Sequence, residues 1–95
     1  MSKFLVIWSL EASRLGPDAV AAVFKMPDYA ARLVADGKLV HRYHIVGRHG
    51  GAWIYSVDSN EELDRLLAQA PVYNLASYEV YPLAEMTDPS TVASR

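Results

Sequence analysis

Residues 38–57 read KLVHRYHIVGRHGGAWIYSV, and the way this stretch folds decides the architecture. Lys38 to Val46 alternates with period two, placing Leu39, His41, Tyr43 and Ile45 on one face and Val40, Arg42, His44 and Val46 on the other, as a strand does. Gly47 to Gly51 interrupts the pattern and Ala52 to Val57 resumes it, so the spacing predicts a hairpin with a longer, glycine-rich loop. All three histidines lie between His41 and Gly51, which makes the same hairpin the first place to look for chemistry.

Toward the N-terminus, Gly37 supplies a left-handed residue after a helix ending at Asp36. That helix starts near Gly16-Pro17-Asp18, and Val20, Val23, Phe24, Pro27, Ala30, Ala31 and Val34 mark its expected buried face. Pro27 removes an amide donor in mid-helix, so a kink or short break is expected near Ala22 to Met26. Before it, Phe4, Val6, Trp8 and Leu10 alternate with Leu5, Ile7 and Ser9, a first strand apolar on both faces and hence central.

Toward the C-terminus, Ser59-Asn60-Glu61-Glu62 is a capping box opening a second helix with Leu63, Leu66, Leu67 and Ala70 inward, closed by Pro71. Ser77 to Leu83 is a fourth strand. The expected domain is residues 1–86, and residues 87–95 are a small, polar tail. The order βαββαβ is that of an α+β, ferredoxin-like fold, a four-stranded antiparallel sheet with two helices on one face. Its other face then needs cover, and a second copy of the chain is the expected cover, a homodimer or higher homo-oligomer enclosing a shared cavity.

Composition narrows the function. The 95 residues are 52% hydrophobic, with six tyrosines and two tryptophans, enough for one globular core. With no cysteine there is no disulfide or thiolate metal site, and a cytoplasmic setting is expected. A net charge of -2 without a basic patch argues against nucleic acid. The apolar run Phe4 to Trp8 is too short to span a membrane. His41 and His44, three apart in a strand, point to opposite faces and cannot readily share a metal ion. No phosphate loop, dinucleotide glycine pattern or nucleophile elbow is present, so the chemistry is expected to need no cofactor.

From Gly37 to Leu83 the chain resembles the muconolactone Δ-isomerase family. The resemblance rests on His41 followed by Ile45-Val46-Gly47, on Ser59 before an acidic helix start, and on Gln69-Ala70-Pro71-Val72-Tyr73 leading to Glu79-Val80 and Leu83. It implies a dimeric α+β barrel and a cofactor-independent shift of a double bond in a lactone during aromatic catabolism. The chain departs from the family at Phe24-Lys25-Met26-Pro27, where the carboxylate of the family's late first helix has no counterpart before Asp28, at the apolar Leu5 and Ile7, and at His44, where the family pattern has Arg.

Such a reaction requires a base, an acid and a group to hold the enolate oxygen. If the more apolar sets of strands one and four face the helices, the shared cavity is expected to receive Leu5, Ile7 and Ser9 from strand one, Val40, Arg42 and His44 from strand two, and Ser77, Glu79 and Tyr81 from strand four. Tyr43 and Ile45 then belong to the core, and His41 to the helix side or a rim. His44, with an ordinary pKa of roughly 6.5, is the candidate base or acid; Glu79 would orient it or share its proton, Arg42 would hold the enolate, and Tyr73 or Tyr81 would donate a hydroxyl. The catalytic set is thus His44, Glu79 and Arg42, with Leu5, Ile7, Ser9, Val40, His41, Tyr73 and Tyr81 contacting the substrate. The bland reading, a solvated edge strand with Arg42 paired to Glu79, stands beside it. Three alternatives also remain open: a cyclase acting on a polyketide or aromatic intermediate, a non-catalytic small-molecule-binding oligomer, and a cofactor-free oxygenase of the same architecture.

Overall fold

A computed structural model describes residues 1–11, 13 and 15–87. The chain runs β1 (Ser2–Leu10), α1 (Pro17–Ala35), β2 (Leu39–His44), β3 (Gly50–Val57), α2 (Asn60–Ala68), a short 3-10 turn (Tyr73–Leu75) and β4 (Ala76–Leu83). The four strands form one antiparallel sheet in the order β2-β3-β1-β4. This is the ferredoxin-like arrangement, with β1 central as its two apolar faces require. Residues 88–95 of the expected tail lie outside the described residues.

One sheet face carries the core. Phe4, Val6, Trp8 and Leu10 of β1 are buried, as are Trp53, Tyr55 and Val57 of β3. The register sets Trp8 opposite Tyr78 and Gly51, and Val6 opposite Val80 and Trp53. The other face presents Leu5, Ile7, Ala52 and Ile54, all only partly covered.

Helix α1 differs from its expected form in two ways. It passes through Pro27 as one continuous helix, without a break near Ala22 to Met26. Its buried positions are Ala19, Ala22, Met26, Tyr29, Ala30 and Leu33, while Val20, Val23, Phe24 and Val34 are exposed. Both differences follow from one packing problem. The sheet face carries Trp8, Trp53 and Tyr55, and the helix meets it with a mixed stripe in which three alanines alternate with Met26, Tyr29 and Leu33, since interiors admit little void or overlap. The resulting stripe, spaced by three and four residues, is in phase on both sides of Pro27. A break would misalign one half of it, which outweighs the roughly 3 kcal/mol of a helical proline.

Helix α2 begins as its capping box predicts, with the Ser59 hydroxyl accepting from the Glu62 amide at 3.1 Å. Glu62 reaches back one residue further than expected, to the Asp58 amide at 2.8 Å, and pairs with Lys38 at 3.1 Å. These bonds, the Asp58 amide first and then Lys38, hold the Glu62 carboxyl below its ordinary pKa.

The strand pairing supplies a further correction. The register between β2 and β3 slips between Leu39 and His41, a bulge at Val40. Beyond it His41 and Tyr43 stand opposite Ile54 and Ala52, on the open face, whereas Arg42 and His44 stand opposite Trp53 and Gly51, on the helix face. The inserted residue inverts every side chain after it, so Tyr43 is not in the core and His41 is not on the helix side.

Between α1, α2 and the sheet lies a tyrosine cluster. The Tyr29 hydroxyl donates to the Leu66 carbonyl at 2.6 Å, which leaves Tyr55, 3.1 Å away, as donor to Tyr29. The Tyr78 hydroxyl is buried without a partner among the described residues. Burial pushes all three phenols above their ordinary pKa. A phenol whose folded pKa is raised favours the folded state below the unfolded pKa, about 10, and that contribution is lost as pH rises past it. Stability is therefore expected to fall above pH 10, with part of the tyrosinate absorbance near 295 nm appearing only with unfolding. Tyr55→Phe should reduce the steepness of that loss, as read from denaturant midpoints across pH 9–12.

Candidate functional site

The pocket is built from the N-terminal half of α1, the ends of β1 and β3, and the edge strand β2. Two glycines make it possible. A Cβ at Gly50 would collide with the Trp8 carbonyl and meet the Ser9 Cα at 2.7 Å, and one at Gly51 would come within 2.7 Å of Trp53 Nε1. Their lack of side chains lets β1 and β3 stay paired up to the hairpin loop, which is then tied down by the Leu10 amide donating to the His49 carbonyl at 2.7 Å.

The paired strands present two indoles side by side, with Trp8 edge-on to Trp53 at 5.7 Å and 90°. Tyr29 stacks on Trp53 from the helix side at 6.2 Å. Above this floor β2 contributes its helix-facing residues. The Arg42 guanidinium lies 5.9 Å from the centre of the Trp53 ring, within range of a cation–π contact. A cavity of about 340 Å³ is lined by Trp8, Gly50, Trp53, Arg42, Tyr43 and His44, with Val23, Met26 and Pro27 of α1 completing it. A second cavity of about 490 Å³ adjoins it, and Trp8, Val23, His44 and Gly50 line both.

The sequence-predicted site residues divide between the two sides of the sheet. Arg42 and His44 come together at the helix-face cavity. Leu5, Ile7, Ser9 and Glu79 belong to the open face, as does Tyr81, whose hydroxyl donates to Glu79 at 2.7 Å. The Glu79 contact raises the Tyr81 phenol above its ordinary pKa. His41 stacks on Tyr43 at 6.2 Å, also on the open face. Val40 sits in the bulge, and Tyr73 packs on Tyr78 at 5.7 Å, lining neither cavity. Glu79 therefore cannot orient His44, because the sheet and two strands intervene. Sequence reasoning missed Trp8, Trp53 and the exposed apolar residues of α1. The two tryptophans carried a signal, since a β1–β3 pairing sets such residues near one another, but the register was not readable. Among the described residues no group of His, Asp or Glu is arranged to hold a metal ion, and no helix is long and apolar enough to cross a membrane.

Fold and site together define a class: small ferredoxin-like α+β proteins with an arginine and a histidine at an aromatic-floored pocket under the first helix. Within it, the model of the muconolactone delta-isomerase family matches residues 3–88, and the chain belongs to that family. The muconolactone Delta-isomerase of Cupriavidus pinatubonensis is 35% identical over 57 residues, 60% of this chain and 62% of that one. That of Acinetobacter baylyi is 36% identical over 55 residues, 58% of this chain and 57% of the relative. The aligned stretches thus span about three fifths of the length of these curated relatives. A crystal structure of muconolactone isomerase matches with a TM-score of 0.77 at 26% identity, over 93% of this chain and 92% of that one. The 5-chloro-2-hydroxyhydroquinone dehydrochlorinase of Burkholderia phenoliruptrix, solved with 2,5-dihydroxybenzoquinone, shares the fold alone, with a TM-score of 0.67 at 13% identity over 88% and 95% of the two chains.

If the helix-face cavity receives the ligand, Arg42→Met should weaken binding of an oxygenated ring such as a lactone about tenfold or more, the usual worth of a charge-assisted hydrogen bond. Glu79→Gln on the other face should leave it unchanged. Tryptophan fluorescence reads both, because Trp8 and Trp53 line the cavity; weakening by Glu79→Gln alone would move the ligand to the open face.

Proposed function

We propose that the chain is a cofactor-independent isomerase that transfers a proton, and with it a double bond, within a small cyclic oxygenated substrate. The carrying observation is that Arg42 and His44 line one largely apolar cavity. Among the described residues of that lining His44 is the one imidazole, the side chain suited to proton transfer near neutral pH, and none is Asp or Glu. The reading therefore gives both proton steps to one imidazole. Neutral His44 takes the acidic proton from one end of the unsaturated system, α or γ to the carbonyl, the C–H electron pair enters the dienolate, and the imidazolium returns the proton at the other end, so that the double bond shifts. Arg42 holds the oxygen on which charge develops, and its own position is supported by the Trp53 face. A single base implies transfer on one face of the ring.

The reading includes self-association. On the open sheet face Leu5, Ile7 and Ile54 are only partly covered, and Tyr43, Tyr81 and Leu83 are 60%, 47% and 43% exposed. Two copies packed through this face would bury it and close the dimeric α+β barrel, leaving each cavity under its own helix. Burial returns roughly 25 cal/mol per Å² of apolar surface, which favours covering this face.

With muconolactone as substrate, His44→Ala should lower kcat by roughly 10²–10⁴-fold, the usual contribution of general acid–base catalysis, while circular dichroism stays unchanged; wild-type turnover in that variant contradicts the assignment. Sedimentation equilibrium should give a dimer or larger species that Ile7→Lys converts to monomer. A wild-type monomer contradicts the barrel.

A further inference from the structure

The cavity beside Arg42 and His44 does not end where a single small ring would. We infer that the natural substrate is bipartite, an oxygenated, enolisable ring at Arg42 and His44 that carries an apolar arm, alkyl or aryl, lying in the adjoining cavity; this rests on the isomerase reading of the first cavity.

Three observations point to an arm and not to a second polar ligand. The adjoining cavity, about 490 Å³, is the larger of the two, and together they fall within the range of roughly 300–1,000 Å³ found for sites that enclose drug-sized ligands. Its walls are mostly apolar, Trp8, Leu10, Leu15, Val20, Val23 and Phe24 outnumbering His44, Arg48 and His49. Val20 and Phe24 of α1 are 54% and 79% exposed, and Leu15 completes that side at 42%. Val20 and Phe24 are residues whose spacing marked them for the core and which the helix leaves outside, since the face it buries is the one with Ala19, Ala22, Met26 and Tyr29. Finally, the two cavities are continuous in chemistry. His44 and Trp8 line both, so a ring placed at the imidazole already abuts the second space.

The wall is also preformed. The loop that bounds it is held by the Leu10–His49 bond, by the Arg48 amide donating to the Ile45 carbonyl at 3.1 Å, and by the close approach of Gly50 to Trp8. Arg48 and His49 stand in the same lining. Among the described residues the charged or titratable groups of this lining, His44, Arg48 and His49, are all basic, which disfavours a cationic arm. A second copy of the chain is a poorer occupant, since the open sheet face that calls for it lies on the other side of the sheet.

The test uses the full chain and two β,γ-unsaturated γ-lactones that differ only in the arm, 5-methyl- and 5-hexyl-2(3H)-furanone. Binding is followed by tryptophan fluorescence and turnover by the appearance of the conjugated isomer. The hexyl lactone should bind at least tenfold more tightly and show a kcat/KM at least tenfold higher. Val20→Ser and Phe24→Ser, both at exposed positions, should cut that preference severalfold. Equal binding of the two lactones overturns the bipartite substrate even if both are isomerised. Preferential hexyl binding without turnover of either lactone sustains the arm site and removes the isomerase reading instead. If the two serine variants keep the hexyl preference but change the sedimentation profile, the apolar wall is an interface between copies and the arm site is overturned.

Discussion

The close backbone approach of β1 and β3 at Trp8, Gly50 and Gly51 is the constraint from which the rest of the site follows. A side chain at Gly50 would collide with the Trp8 carbonyl, and one at Gly51 would press on Trp53. Because neither is there, the ladder continues to Ser9 and Gly50, the hairpin loop is bound to the end of β1, and the two indoles meet edge to face. The edge strand is then carried with its partner, and His44 falls opposite Gly51 and Arg42 opposite Trp53. Sheet register, in this molecule, is what brings a cation and an imidazole to one aromatic surface.

Helix packing supplies the other half. Helix α1 meets the aromatic sheet face with Ala19, Ala22 and Ala30 interleaved with Met26, Tyr29 and Leu33. The cost is that Val20, Val23 and Phe24 remain outside the core. Surface of this kind is unfavourable to leave in water, and here it is concentrated along the wall of a cavity that opens beside His44. The same choice of helix face thus seals the core and shapes the ligand space.

Much of the fold was legible. Alternation in β1 and β4, Gly37 after α1, the Ser59 cap and the glycine-rich loop all act within a few residues, and local physics of that range is written in the order of side chains. The strand faces of β1 and β4 also came through correctly, since the apolar set of each faces the helices. Long-range packing was not written there. Nothing in Leu39-Val40-His41 announces a bulge, because an extra residue in a strand is chosen by the pairing partner. Period-two reading therefore placed Arg42 and His44 on the right strand and opposite His41, but on the wrong side of the sheet. Pro27 misled in a similar way, since the packing that holds α1 straight lies in the sheet. Glu79, Leu5, Ile7 and Ser9 were grouped with His44 only because the cavity was assigned to the uncovered face; the space beside His44 lies under α1.

The central claim is that chemistry takes place between α1 and the sheet, and that the opposite face serves assembly. A crystal structure of the His44→Ala variant soaked with muconolactone tests it most directly. The account predicts the lactone under α1, its ring against Trp53 and an oxygen within hydrogen-bond distance of Arg42. A lactone bound instead on the open face, among Leu5, Ile7 and Glu79, would contradict it.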